Sequence, residues 1–165
     1  MSKPKVPVMA GHSDQFQTPP KAVDILTPYL NKNWIIWECA WGKGRLYDRL
    51  SEKGFNVIAS IEGEDFLITN KHCDCIVTNP PYSIKDKFIA RCYSLGKPFA
   101  LLMPLTALEG QFRQSLYRQY GIKLLLPNKR FNFETPSGRG SGSWFATAWF
   151  TWGLDLPNEL TFVVL

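Results

Sequence analysis

Cys75-Ile76-Val77-Thr78-Asn79-Pro80-Pro81-Tyr82 joins an apolar run to a double proline and an aromatic ring. The first four residues predict a buried strand. Two successive prolines end it, because each lacks an N–H and has a fixed φ. The backbone after Thr78 is therefore stiff and turned. Such a turn can hold the Asn79 amide and the Pro80 carbonyl toward one small object, with the Tyr82 ring alongside. A rigid pair of acceptors beside a flat ring suits an exocyclic amino group on a planar base or an amide. The plainer alternative is a strand-ending turn with Tyr82 at the edge of the core.

Outward from this stretch, apolar runs alternate with helical spacing. Strands are expected at residues 34–37, 56–61, 73–78, 99–103, 122–126 and 144–152, with an edge strand at 160–165. Helices are expected at 21–30, 42–50, 85–95 and 111–120, and a Gly- and Ser-rich loop at 132–142. Strands alternating with helices imply an α/β fold whose mostly parallel sheet is covered on both faces. In such sheets a ligand sits beyond the carboxyl ends of the strands. The two best motifs, after Trp37 and after Thr78, both fall at strand carboxyl ends.

The 165 residues are enough for a single domain with a real core, and residues 1–20 form a polar N-terminal arm. No apolar stretch approaches a membrane span. The basic N-terminus has no long apolar segment behind it and does not resemble a secretory signal. Cys39, Cys73, Cys75 and Cys92 show no metal-site spacing with His12 and His72. They suit reduced apolar residues of a cytoplasmic protein, and no metal is expected. The net charge of +5 favours a polyanionic partner such as nucleic acid.

The run Glu38-Cys39-Ala40-Trp41-Gly42-Lys43-Gly44 follows the first strand. Its glycines allow a tight turn and a close approach of backbone to ligand, or serve turn geometry alone. Together with Asn79-Pro80-Pro81-Tyr82, this run resembles the motifs of S-adenosylmethionine-dependent amino-methyltransferases, above all DNA adenine methyltransferases. The resemblance implies a Rossmann-like class I methyltransferase fold, with a seven-stranded sheet and a C-terminal antiparallel hairpin. It covers residues 16–153, in the order of forms that lack a separate target-recognition domain. The small size suggests a phage or mobile-element enzyme, or one that takes specificity from a partner subunit.

The resemblance also implies residue roles. Asn79 and the Pro80 carbonyl would accept from the target amino group, and Tyr82 would stack on the base. Pro81 completes the catalytic turn. Glu38, Cys39, Ala40, Gly42 and Gly44 would surround the cofactor, with Glu38 reaching its amine. Asp65 and Phe66 look like the pair that binds the cofactor's adenine. Phe16, Thr18 and Pro19 resemble an arm closing over its methionine end, or simply begin a helix. The family usually places an acid at the end of the second strand for the ribose. Here Ser60-Ile61 stands there, so Glu62 must substitute.

Basic residues flank the presumed target pocket. Lys85 and Lys87 follow the catalytic turn, Lys129 and Arg130 precede the loop, and Arg139 lies in it between glycines. They fit a nucleic-acid backbone, though each alone also suits a solvated surface. The aromatic cluster of Trp144, Phe145, Trp149, Phe150 and Trp152 suits the core, with one ring available to the pocket. The leading expectation is methyl transfer to the exocyclic amino group of adenine in DNA. RNA adenine, a cytosine amino group, a protein glutamine amide and a non-catalytic binding subunit remain open.

Overall fold

The computed structural model describes residues 17–40, 44–60, 63–135, 138–139 and 145–165. Seven strands form one sheet: β1 (Ile35–Glu38), β2 (Asn56–Ala59), β3 (Cys75–Thr78), β4 (Phe99–Pro104), β5 (Lys123–Pro127), β8 (Thr147–Trp152) and β9 (Leu160–Val163). Their order is β2-β1-β3-β4-β8-β5-β9. All neighbours pair in parallel except β8, which runs antiparallel to both β4 and β5. This is the Rossmann-like class I methyltransferase fold expected from the sequence. The expected terminal hairpin is present as β5 with β8, but the chain then crosses β5 and lays β9 parallel on its far side.

Residues on successive strand positions divide between two cores, as the two-residue period requires. Ile36, Cys75, Val77, Ala100, Leu102 and Trp149 meet α1 (Pro20–Leu26) and α2 (Arg45–Glu52) on one face. Trp37, Ile76, Phe99, Leu101, Met103 and Phe150 meet α3 (Lys85–Leu95) and α4 (Gln111–Tyr120) on the other. Fully buried runs such as Cys75–Thr78 follow from this double covering.

Several boundaries differ from the sequence expectation for local reasons. The first helix stops at Leu26, and Thr27–Tyr29 tightens into a 3-10 turn. Pro28 accounts for this, since it has no N–H to give the Asp24 carbonyl, which accepts the Thr27 hydroxyl at 3.1 Å instead. The second helix begins only at Arg45, because Gly44 takes a left-handed conformation (φ 76°) that suits glycine. The loop at 132–142 contains a short hairpin of β6 (Glu134–Thr135) and β7 (Gly138–Arg139).

Helix α1 is held to the sheet by one buried bond. The Trp149 indole Nε1 donates to the Ala22 carbonyl at 2.7 Å, and Trp149 is fully buried. Arg49 of α2 forks onto both oxygens of Asp24 in α1 at 2.8 Å. That pair is partly exposed and contributes less than about 1 kcal/mol. Trp149→Phe keeps most of the buried ring and removes the donor. It is expected to cost about 0.5–1.5 kcal/mol in urea unfolding, the net worth of one buried hydrogen bond, since the Ala22 carbonyl keeps its place in the α1 ladder. An unchanged midpoint would show that the bond is dispensable.

Candidate active site

The parallel strands β1, β3, β4, β5 and β9 all end at one edge of the sheet. Both sequence motifs meet there on adjacent strands. Glu38 is the last residue of β1 and is 1% exposed. Its Oε1 accepts the Ala40 backbone N–H at 2.9 Å and the Thr78 hydroxyl in a short bond. Thr78 is the last residue of β3 and immediately precedes Asn79. One hydroxyl therefore ties the turn after β1 to the turn after β3. Loss of solvation pushes the Glu38 carboxyl up to about 8, against the opposing pull of its bonds to Thr78 and Ala40. Both bonds converge on Oε1, and Oε2 takes part in neither.

The remaining expected cofactor residues divide. Gly44 caps α2, and Asp48 N–H donates to its carbonyl at 2.8 Å. Cys39 is buried among Trp37, Phe66 and Ile76, so only its backbone faces the turn. Burial drives its thiol well above the ordinary range. Asp65 is exposed, and its Oδ1 accepts the Leu67 N–H at 2.9 Å, which shapes the local turn. Phe66 is 2% exposed and packs against Trp37 and Phe88 at ring-centroid distances of 5.2 and 4.8 Å. It therefore belongs to the core on that face of the sheet. Arg91 of α3 secures this loop by donating to the carbonyls of Phe66 and Thr69 at 3.3 and 3.0 Å. Thr18 is buried and Pro19 caps α1, on the sheet face lined by Ile36 and Val77. Phe16, Gly42, Glu62 and the Arg139 side chain lie outside the described residues, as does Trp144.

Ser60 has a role that the sequence did not disclose. Its hydroxyl accepts the Trp37 indole N–H at 3.0 Å, and its backbone N–H donates to the Glu38 carbonyl at 3.2 Å. The position where an acid was expected thus braces the strand that carries Glu38.

On the catalytic side, Asn79 is half-buried and Pro80 is buried. Pro81 accepts the Ile84 N–H at 3.2 Å, and Tyr82–Ile84 form a 3-10 turn into α3. Tyr82 is 5% exposed, and the Phe145 ring meets it edge to face at 5.8 Å. Tyr82 is thus at the core edge, with Phe145 against its ring. Lys85 reaches back to the Tyr82 carbonyl at 3.3 Å, and Lys87 is exposed. Lys129 and Arg130 are exposed just after β5, three strand positions from β3, or about 14 Å at usual spacing. The structure therefore gathers Lys85 and Lys87 at the turn and holds Lys129 and Arg130 farther along the same edge. Among the described residues, no group of three His, Cys, Asp or Glu could hold a metal ion. None of the described helices is long and apolar enough to cross a membrane.

No protein-family model matches this chain, and no curated protein matches it by sequence. Solved structures do resemble it in fold. PH1948 of Pyrococcus horikoshii, described as an RNA methyltransferase, aligns with TM-score 0.54 and 12% identity, over 84% of this chain and 85% of its own. The 23S rRNA methyltransferase ErmE aligns with TM-score 0.52 and 12% identity, over 82% of this chain and 68% of its own. A protein from Vibrio vulnificus, described as the modification subunit of a type I restriction enzyme, aligns with TM-score 0.53 and 13% identity. That match takes in 87% of this chain but only 45% of the longer one. At such identities the likeness is one of fold.

Proposed function

We propose that this protein is an S-adenosylmethionine-dependent amino-methyltransferase acting on adenine in DNA. The observation that carries this reading is the Glu38–Thr78 bond. It joins a buried carboxylate in the first turn to the residue preceding Asn79-Pro80-Pro81-Tyr82. The donor set fits the cofactor: a buried carboxyl whose second oxygen takes no part in the bonds to Ala40 and Thr78 suits its ammonium group. S-adenosylmethionine, when bound, supplies a methyl group on positively charged sulfur. The residues of this chain do the positioning. Asn79 Oδ1 and the Pro80 carbonyl accept the two amino hydrogens, which turns the nitrogen lone pair toward the methyl group. Attack would form the N–C bond as the C–S bond breaks, with the surplus amino proton passing to water, so a neutral nucleophile held in line needs no strong general base. A base within a duplex would have to be flipped out to reach the turn.

RNA adenine is the second reading, supported by the likeness to PH1948 and ErmE, both named for RNA. In either case a partner subunit could supply sequence specificity. The deciding experiment incubates DNA, RNA and glutamine peptides with methyl-labelled cofactor, followed by mass analysis of the nucleosides and peptides. N6-methyladenine in DNA is the expected product. Label confined to RNA moves the reading to RNA, and label in none of them removes the enzymatic reading.

The basic rim leads to a separate expectation. With about three phosphate contacts among Lys85, Lys87, Lys129, Arg130 and Arg139, log affinity should fall against log salt with a slope of about −2 to −3. Anisotropy of a labelled oligonucleotide at several salt concentrations checks it. A flat response would place the target among uncharged substrates.

A further inference from the structure

Thr147 opens β8, the antiparallel strand between β4 and β5. It is 3% exposed, and among the described residues its hydroxyl has no hydrogen-bond partner. Buried hydroxyls in native proteins are nearly always bonded, and an orphan calls for an explanation. The strand itself does not require one here. Valine has the same branched shape, suits a pleated strand equally well, and would leave nothing unsatisfied.

The position of Thr147 supplies the explanation. Its register partner is Pro104, and Leu105 N–H donates to the Ala146 carbonyl at 2.9 Å. Thr78 pairs with Leu101, so the turn at Asn79–Pro81 runs beside the last residues of β4. Thr147 therefore stands two strands from the catalytic turn at the same sheet edge, about 10 Å between strand axes. Two residues earlier, Phe145 packs on Tyr82. The start of β8 thus lies along the sheet edge that carries Asn79, with Phe145 against Tyr82 and Thr147 two residues further on.

We propose that Thr147 is a specificity residue of the target pocket, its hydroxyl bonding a ring nitrogen beside the amino group that Asn79 and Pro80 receive. This rests on the amino-transfer reading above. A base seated on the turn presents to the hydroxyl the ring nitrogen next to that amino group once Phe145 has moved aside. The hydroxyl then gains the partner that it lacks in the free protein. A pyrimidine such as thymine offers neither the amino group to the turn nor that ring nitrogen to Thr147.

The test uses the full chain with S-adenosylhomocysteine present and short labelled oligo(dA) and oligo(dT) strands as probes. The wild type is expected to prefer oligo(dA), and Thr147→Val to lose about tenfold of that affinity, the size of one hydrogen bond. Thr147→Ser should retain most of it, and oligo(dT) binding should not change. The melting temperature of Thr147→Val should equal or exceed that of the wild type, because the substitution removes an orphaned group. Equal oligo(dA) affinity in wild type and Thr147→Val overturns the proposal. So does a wild type without oligo(dA) preference, or a valine variant that melts lower and weakens on both strands alike. A Thr147-dependent preference with no methyl incorporated overturns the amino-transfer reading and leaves the base pocket standing.

Discussion

Replacing Asn79 with alanine is expected to lower kcat for methyl transfer by on the order of 100- to 1000-fold, with cofactor affinity changed less than about twofold. Asn79 stands at the end of β3, held there by strand pairing on both sides and by the stiff prolines that follow. In the proposed reading its amide receives the nucleophile, whereas the cofactor is assigned to the turn after β1. The loss should therefore fall on the chemical step. Single-turnover kinetics with saturating cofactor, beside calorimetric cofactor titration, separate the two effects. Retention of most activity would remove Asn79 from the reaction. Tyr82→Ala is a less direct probe, because the ring is buried against Phe145 and its removal also disturbs packing.

The second large effect concerns Glu38 and pH. Its carboxyl titrates near 8 in the free fold, against an ordinary value of 4.5. A raised pKa means that the folded state holds the proton more tightly than the unfolded chain. The stability linked to it is complete below pH 4.5 and is lost as pH rises through 8. Its size is on the order of 5 kcal/mol. Thermal melts of the free protein should decline across that window, while Glu38→Gln, which cannot titrate, should melt at nearly constant temperature there. Binding of an ammonium group needs the ionised carboxylate. Cofactor affinity in the wild type should therefore rise with pH toward 8, with release of a proton, and Glu38→Gln should bind weakly at every pH. Parallel melting profiles for the two proteins would remove Glu38 as the titrating group.

The strand and helix pattern was legible because each buried run is short, apolar and bounded by glycine or proline. The turns at Glu38 and Asn79 were legible for the same reason, since both interrupt such runs with polar residues that a core would reject. The bond from Thr78 to Glu38 was not legible. It depends on β1 and β3 being neighbours, and 36 residues separate the two strands, with β2 between them in sequence. Thr147 was hidden by the same kind of non-local fact. In sequence it is one threonine in an aromatic-rich strand, and only insertion of β8 beside β4 brings it to the catalytic edge. Phe66 illustrates the opposite case. An aromatic beside an acid at a strand end looks ligand-facing, but Trp37 and Phe88 claim the ring for the core.

Strand β8 also governs when the molecule can become whole. It is the link that joins β5 and β9 to β4, since β5 pairs with nothing else on that side. On the ribosome, β1 to β4 can assemble as soon as they emerge, with the β4 edge still bare. Strand β5 must wait, although it has already been made, until residues 147–152 arrive to bridge the gap. The turns after β1 and β3 can thus form early and the β8 side of the same edge only late, and the edge of β4 is the surface a chaperone would have to guard in the interval.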